Sequence, residues 1–176
     1  LFEVCRLRSV PIITFVNKVD REGRSVFETL DEVADALALD VVPMSWPIGM
    51  GGEFKGVLDF ATNTIARPEG DSREFLGLRE PAVDIPADIA EEIELAQAGY
   101  GEFDPEAYRH GDMTTVYFGS ALKNFGVAEL IDAIARYAPS PRPQPSEQGT
   151  IEPTGKEVTG FIFKVHQNSS FTATSN

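Results

Sequence analysis

Apolar and polar positions alternate between two rhythms along the first forty residues. Residues 11–16, Pro-Ile-Ile-Thr-Phe-Val, are almost continuously apolar. Ile12, Ile13, Phe15 and Val16 therefore predict a strand covered on both faces, as in the parallel sheet of an α/β domain. Residues 1–8 before it read as the end of a helix. From Ser25 onward the period lengthens, with Phe27, Leu30, Ala34 and Leu37 recurring at three- and four-residue spacing. That spacing predicts a helix capped by Ser25 and packed on the sheet, with Glu28, Asp31, Glu32 and Asp35 on its solvated face.

Between about residues 40 and 112 the helical rhythm gives way to an irregular stretch, read as an α+β insertion between two strands of the main sheet. Residues 41–46, 54–60 and 62–66 have strand character and are divided by Gly49, Gly51, Gly52 and turn residues. A small antiparallel unit follows from that pattern, with Trp46 as a core anchor. Residues 84–98 predict a helix with Ile89, Ile93 and Ala96 on one face. Asp104-Pro105 has the form of a cap followed by a first-turn proline, giving a short helix to about His110.

A second apolar strand, Met113-Thr-Thr-Val-Tyr-Phe118, runs directly into Gly119-Ser120-Ala121-Leu122-Lys123-Asn124. Val127, Leu130, Ile131, Ile134 and Tyr137 then mark a helix that closes the layer on the sheet. Pro139, Pro141, Pro143 and Pro145 predict a stiff, extended linker over 139–155. Residues 158–165 alternate and read as a lone strand, and the polar tail 169–176 has no pattern of its own. The domain reading is accordingly 1–138, a linker over 139–155, and the start of another domain over 156–176.

The polar cluster that ends the first strand is Asn17-Lys18-Val19-Asp20. Taken alone it is also an ordinary turn, since Asn and Asp favour turns. Its chemistry is nevertheless specific. An aspartate can accept two parallel hydrogen bonds from adjacent N–H groups, which guanine presents and adenine does not. Asp20 is the candidate reader, Asn17 can address the acceptor edge of the same base, and the Lys18 stem can lie over a purine face. In α/β sheets ligands collect at the carboxyl ends of strands. Two strands delivering complementary loops to one end favour a binding site, because the small residues of 119–121 let backbone N–H groups approach a ligand.

Asn17-Lys18-Val19-Asp20 resembles the guanine-specificity motif of GTP-binding proteins, and Gly119-Ser120-Ala121-Leu122 resembles their last base-contacting loop. Met44-Ser-Trp-Pro-Ile-Gly-Met-Gly51, Glu53-Phe-Lys-Gly-Val57, Glu102-Phe-Asp104 and Asn124-Phe-Gly-Val127 narrow the resemblance to the translational GTPases. Among these they look most like peptide-chain release factor three. Elongation factor G and ribosome-protection GTPases are the alternatives within the class, and a non-catalytic interaction module with a vestigial nucleotide site is the alternative outside it. The resemblance runs from Val4 to about Gln167.

That resemblance implies a partial P-loop GTPase domain, a mostly parallel sheet with flanking helices, followed by the first strand of a β-barrel. It implies GTP/GDP binding, with Asn17 and Asp20 reading the base, Lys18 covering it, Ser120 and Ala121 offering backbone N–H groups to its oxygen, and Leu122 as an apolar wall. It further implies a cytoplasmic parent that hydrolyses GTP on the ribosome and recycles peptide release factors. The sequence contains no Gly-x-x-x-x-Gly-Lys-Ser/Thr loop, so the phosphate and Mg2+ sites are expected outside this chain, as an internal fragment of the parent. No catalytic residue and no metal ligand is assigned within it, and the chain alone is expected not to hydrolyse GTP.

Composition changes the picture little. At 176 residues with 42% hydrophobic positions the chain can bury one core. Its net charge of −13 argues against a broad basic surface for nucleic acid, so no RNA-binding residue is assigned. No apolar run reaches the length of a membrane span. The single cysteine, Cys5, has no second cysteine for an internal disulfide.

Overall fold

A computed structural model describes residues 2–67, 78–83, 85–147, 149–156 and 158–160 of the chain. It divides into two compact units, Leu1–Ala138 and Pro139–Asn176. In the first unit, helix α1 (Phe2–Leu7) leads into strand β1 (Ile12–Asn17), where the apolar run begins. Helix α2 (Val26–Leu37) starts at a capping box in which Ser25 accepts the Glu28 N–H and Glu28 accepts the Ser25 N–H. Reciprocal satisfaction of two orphan donors fixes that start.

Strand β2 (Asp40–Pro43) is parallel to the later strand, and β3 (Ser45–Ile48) begins a different sheet. The run 41–46, expected as one strand of the insertion, is thus divided between two sheets. Pro43 has no N–H to continue the ladder. Beyond it Met44 donates to the Val116 carbonyl at 2.9 Å, and the Phe118 N–H turns to the Ser45 hydroxyl at 2.9 Å. Strands β4 (Gly56–Asp59), β5 (Thr64–Arg67) and β6 (Leu78–Pro81) complete an antiparallel sheet in the order β3-β4-β5-β6.

Helix α3 (Ala87–Gly99) follows, then α4 (Pro105–His110), whose cap Asp104 accepts the Glu106 N–H at 2.8 Å. Strand β7 (Met113–Gly119) lies between β1 and β2, parallel to both, and helix α5 (Val127–Tyr137) ends the unit. Successive residues of β7 point to opposite faces. Val116 and Phe118 pack with Leu30 and Trp46 in one core cluster, while Met113 and Tyr117 pack with Tyr108 and Ala133 in the other. Trp46 is fully buried, its ring 5.2 Å from that of Phe27 and 6.1 Å from that of Phe118. The anchor role read for it from sequence is what the packing shows.

In the second unit, β8 (Gln144–Ser146) and β9 (Gly149–Ile151) form a short antiparallel hairpin. The prolines were expected to keep this stretch extended. Instead Gly149, at φ +125°, lets the chain reverse, and the Ser146 hydroxyl donates to the Gly149 carbonyl at 2.7 Å. Residues 158–160 have no regular structure. The remainder of the strand expected over 158–165, and the tail 169–176, lie outside the described residues.

Candidate functional site

Parallel register carries the two polar loops to one place. Asn17, the last residue of β1, stands opposite Gly119, the last residue of β7. Both loops therefore leave the carboxyl edge of the sheet side by side, where α/β domains take their ligands.

Several bonds tie the loops together. The Asn17 side-chain oxygen accepts the Ala121 N–H at 2.9 Å and the Lys18 N–H at 2.8 Å. The Val19 N–H donates to the Gly119 carbonyl at 3.2 Å. Asp20 pairs with the Lys123 ammonium at 3.1 Å. The Ser120 hydroxyl is buried beside Asp20 and lowers the pKa of its carboxyl. Two N–H donors on one oxygen fix the orientation of the Asn17 amide and turn its NH2 group away from them.

These contacts set the charge at position 20. The Ser120 hydroxyl, followed by Lys123, holds the Asp20 carboxyl below the usual carboxylate range against the opposing effect of burial. The Asp20 side chain is only 9% exposed, so it is a fixed acceptor rather than a mobile surface charge. Lys18 sits at φ +71°, a left-handed conformation that a lysine adopts only when its surroundings impose it. Its side chain is exposed and borders a cavity of about 280 Å3 lined also by Asn17, Arg21, Arg24, Met50 and Phe118. Asp20 and residues 120–122 do not line that cavity; they stand at the rim of the sheet.

Ser120, Ala121 and Leu122 differ from one another in what they can offer. Ser120 donates its N–H to the Phe125 carbonyl at 3.0 Å and accepts the Phe125 N–H at the same distance, a bridge that closes the loop on itself. The two backbone N–H groups assigned from sequence to a base oxygen are therefore both engaged within the protein, Ser120 by Phe125 and Ala121 by Asn17. Leu122 is 84% exposed and free to meet an apolar face.

Sequence reasoning assigned no role to Lys123, although a lysine three residues after Ser120 in the same short loop was a signal for a partner to Asp20. It also missed Gly126. That residue adopts φ +69°, and a Cβ there would lie 2.2 Å from the Phe118 carbonyl oxygen, so the chain can turn into α5 only with glycine.

A parallel sheet flanked by helices, with its loops gathered at the carboxyl edge, places the molecule among the α/β domains that bind ligands there. The family model described as the elongation factor Tu GTP binding domain matches residues 1–140, and the chain belongs to this family of translational GTP-binding domains. A solved structure of a protein from Thermus thermophilus is similar over 80% of this chain, with a TM-score of 0.59 and 19% identity. That likeness is one of fold. The chain spans 24% of the length of that protein.

Membership of the family implies GTP or GDP, with Mg2+ on the phosphates. The base end of such a ligand fits the residues present, since Asp20 is an ionised double acceptor beside the Asn17 amide. Among the described residues no group of three or more His, Cys, Asp or Glu side chains is placed to hold an ion. No helix among the described residues is long and apolar enough to cross a membrane.

Proposed function

We propose that this chain is the guanine-recognising part of a longer, cytoplasmic, ribosome-associated GTPase that acts in translation termination by recycling peptide release factors. The observation that carries the reading is the Asp20 carboxylate, ionised and fixed at a rim where the Asn17 amide and the 120–122 loop also stand. A carboxylate has about four acceptor positions. With Ser120 and Lys123 on two of them, it retains a pair for the adjacent N–H groups of guanine. The Asn17 NH2 group addresses the acceptor edge of the base, and the Lys18 stem and Leu122 cover its faces. The Ala121 N–H reaches the base oxygen by sharing its proton with Asn17 in a three-centred bond.

The termination role rests on the resemblance of Met44-Ser-Trp-Pro-Ile-Gly-Met-Gly51 and Asn124-Phe-Gly-Val127 to release factor three. Pro47-Ile48-Gly49 and Gly119-Ser120-Ala121 are shared with elongation factor G, which makes that the second reading. Phosphate and Mg2+ binding are assigned to residues outside this chain. Phosphoryl transfer depends on positioning and charge stabilisation, and the groups that supply them are absent from its sequence.

Competition on the longer protein tests the reading. Unlabelled GTP should displace labelled GDP while ATP at the same concentration does not. Equal displacement by ATP would contradict base recognition at Asp20.

A further inference from the structure

The glycine turn of the antiparallel sheet, residues 49–54, contacts no base in the reading above. It nevertheless reaches both polar loops. Gly51 donates its N–H to the Val19 carbonyl at 3.4 Å, inside the Asn17–Asp20 loop. A Cβ at Gly51 would lie 3.1 Å from the Glu22 backbone nitrogen, so the turn and the first loop touch backbone to backbone. On the other side, the Phe54 ring meets the Phe125 ring edge-on with centroids 5.6 Å apart. Phe125 is the residue whose backbone closes the Ser120 bridge.

The turn is closed by its own backbone contacts. Gly49 and Gly51 adopt φ +74° and φ +58°, and a Cβ at Gly49 would lie 2.4 Å from the Glu53 carbonyl oxygen. A 3₁₀ turn over Gly51–Glu53 follows, and Lys55 donates back to the Ile48 carbonyl at 2.8 Å. Ser45 and Trp46, at the start of the same sheet, already hold β7 through the Phe118 N–H and ring. One element thus touches the first loop, the second loop and the strand that carries the second loop.

We infer that this turn is a brace that sets the spacing of the two base-reading loops, with Phe54 and Gly51 as positioning residues for guanine specificity. The inference rests on the base-recognition reading proposed above. Phe54 touches no base; it acts through Phe125, whose bridge to Ser120 aims the 120–122 loop at the rim. Loosening the brace lets the second loop drift from Asp20, so contacts that need both loops at once weaken together.

The test compares GDP with IDP, whose base lacks the 2-amino group and so forgoes one of the two Asp20 bonds. In the longer GTPase that carries this chain, Phe54→Ala should lower GDP affinity by about three- to tenfold, the range of a lost aromatic pair. It should also narrow the preference for GDP over IDP, and Phe54→Tyr should restore both. Phe54→Leu, close in volume and without the ring edge, should narrow the preference even if Phe54→Ala does not fold. A general loosening would lower GDP and IDP affinity by the same factor and leave their ratio at the wild-type value; that result, or unchanged affinities, overturns the brace. Wild-type protein that does not prefer GDP to IDP or ADP overturns instead the reading on which the brace rests.

Discussion

Across 104 positions of sequence, the side-chain oxygen of Asn17 accepts the backbone N–H of Ala121 at 2.9 Å. One amide thereby sets the register between the loop after β1 and the loop after β7, and its other end faces the rim. Asn17→Ala removes the acceptor for two backbone donors. Because those donors are exposed, water replaces the lost partner and the stability cost should be about 1 kcal/mol. Loss of GDP affinity in the longer protein should be larger, about tenfold or more, since the base loses a contact and the loops lose their tie. Urea denaturation and GDP titration of the same variant separate the two effects.

The pairing of Asp20 with Lys123 gives a pH signature. Asp20 titrates lower in the folded chain than its usual value, through the Ser120 hydroxyl first and Lys123 after it. The stability this contributes is present above the unfolded carboxyl pKa and is lost as pH falls through the folded one. Lys123→Met removes one cause of the depression, so acidification should cost the variant less stability than wild type, the loss starting at the same unfolded carboxyl pKa and ending at a higher pH. The stability difference between the two proteins should be constant near neutrality and shrink as Asp20 becomes protonated. Denaturant midpoints measured from about pH 7 down to about pH 3 test this, and a difference that does not change with pH would contradict the pairing.

Gly126→Ala should be among the most destabilising single changes near the site. The added Cβ meets the carbonyl oxygen of Phe118, a backbone atom of a buried strand that cannot move aside, at a left-handed φ of +69°. A cost of about 2 kcal/mol or more follows from the combined clash and strain. Gly52→Ala is the control, since a Cβ there meets nothing within 4 Å and its φ is not left-handed; it should change stability by no more than about 0.5 kcal/mol. Thermal or chemical denaturation of the pair measures the contrast.

What could be seen in the sequence was whatever local pattern determines. The apolar run of β1, the Ser25 cap with Glu28 three residues on, the Asp104-Pro105 start of α4 and the strand that empties into Gly119 are all decided by near neighbours. The division of 41–46 between two sheets was not legible, because it depends on which β7 groups remain for Met44 and Ser45, some seventy positions away. The hairpin over 144–151 was hidden by proline spacing that favours extended chain. At the site, the sequence brought Asn17, Lys18, Asp20 and 120–122 to one rim, but which N–H groups were already taken depended on the Phe125 bridge and the Asn17 amide. Those are contacts between segments, and no spacing rule reports them.

In the proposed function Asp20 reads guanine by accepting two adjacent N–H donors. Asp20→Asn converts that acceptor pair into a donor and an acceptor, which complements the xanthine base. The direct measurement is competition between GTP and XTP for labelled GDP and XDP on the Asp20→Asn form of the longer GTPase. Preference should move from GTP to XTP. Retention of the wild-type preference for GTP would contradict it.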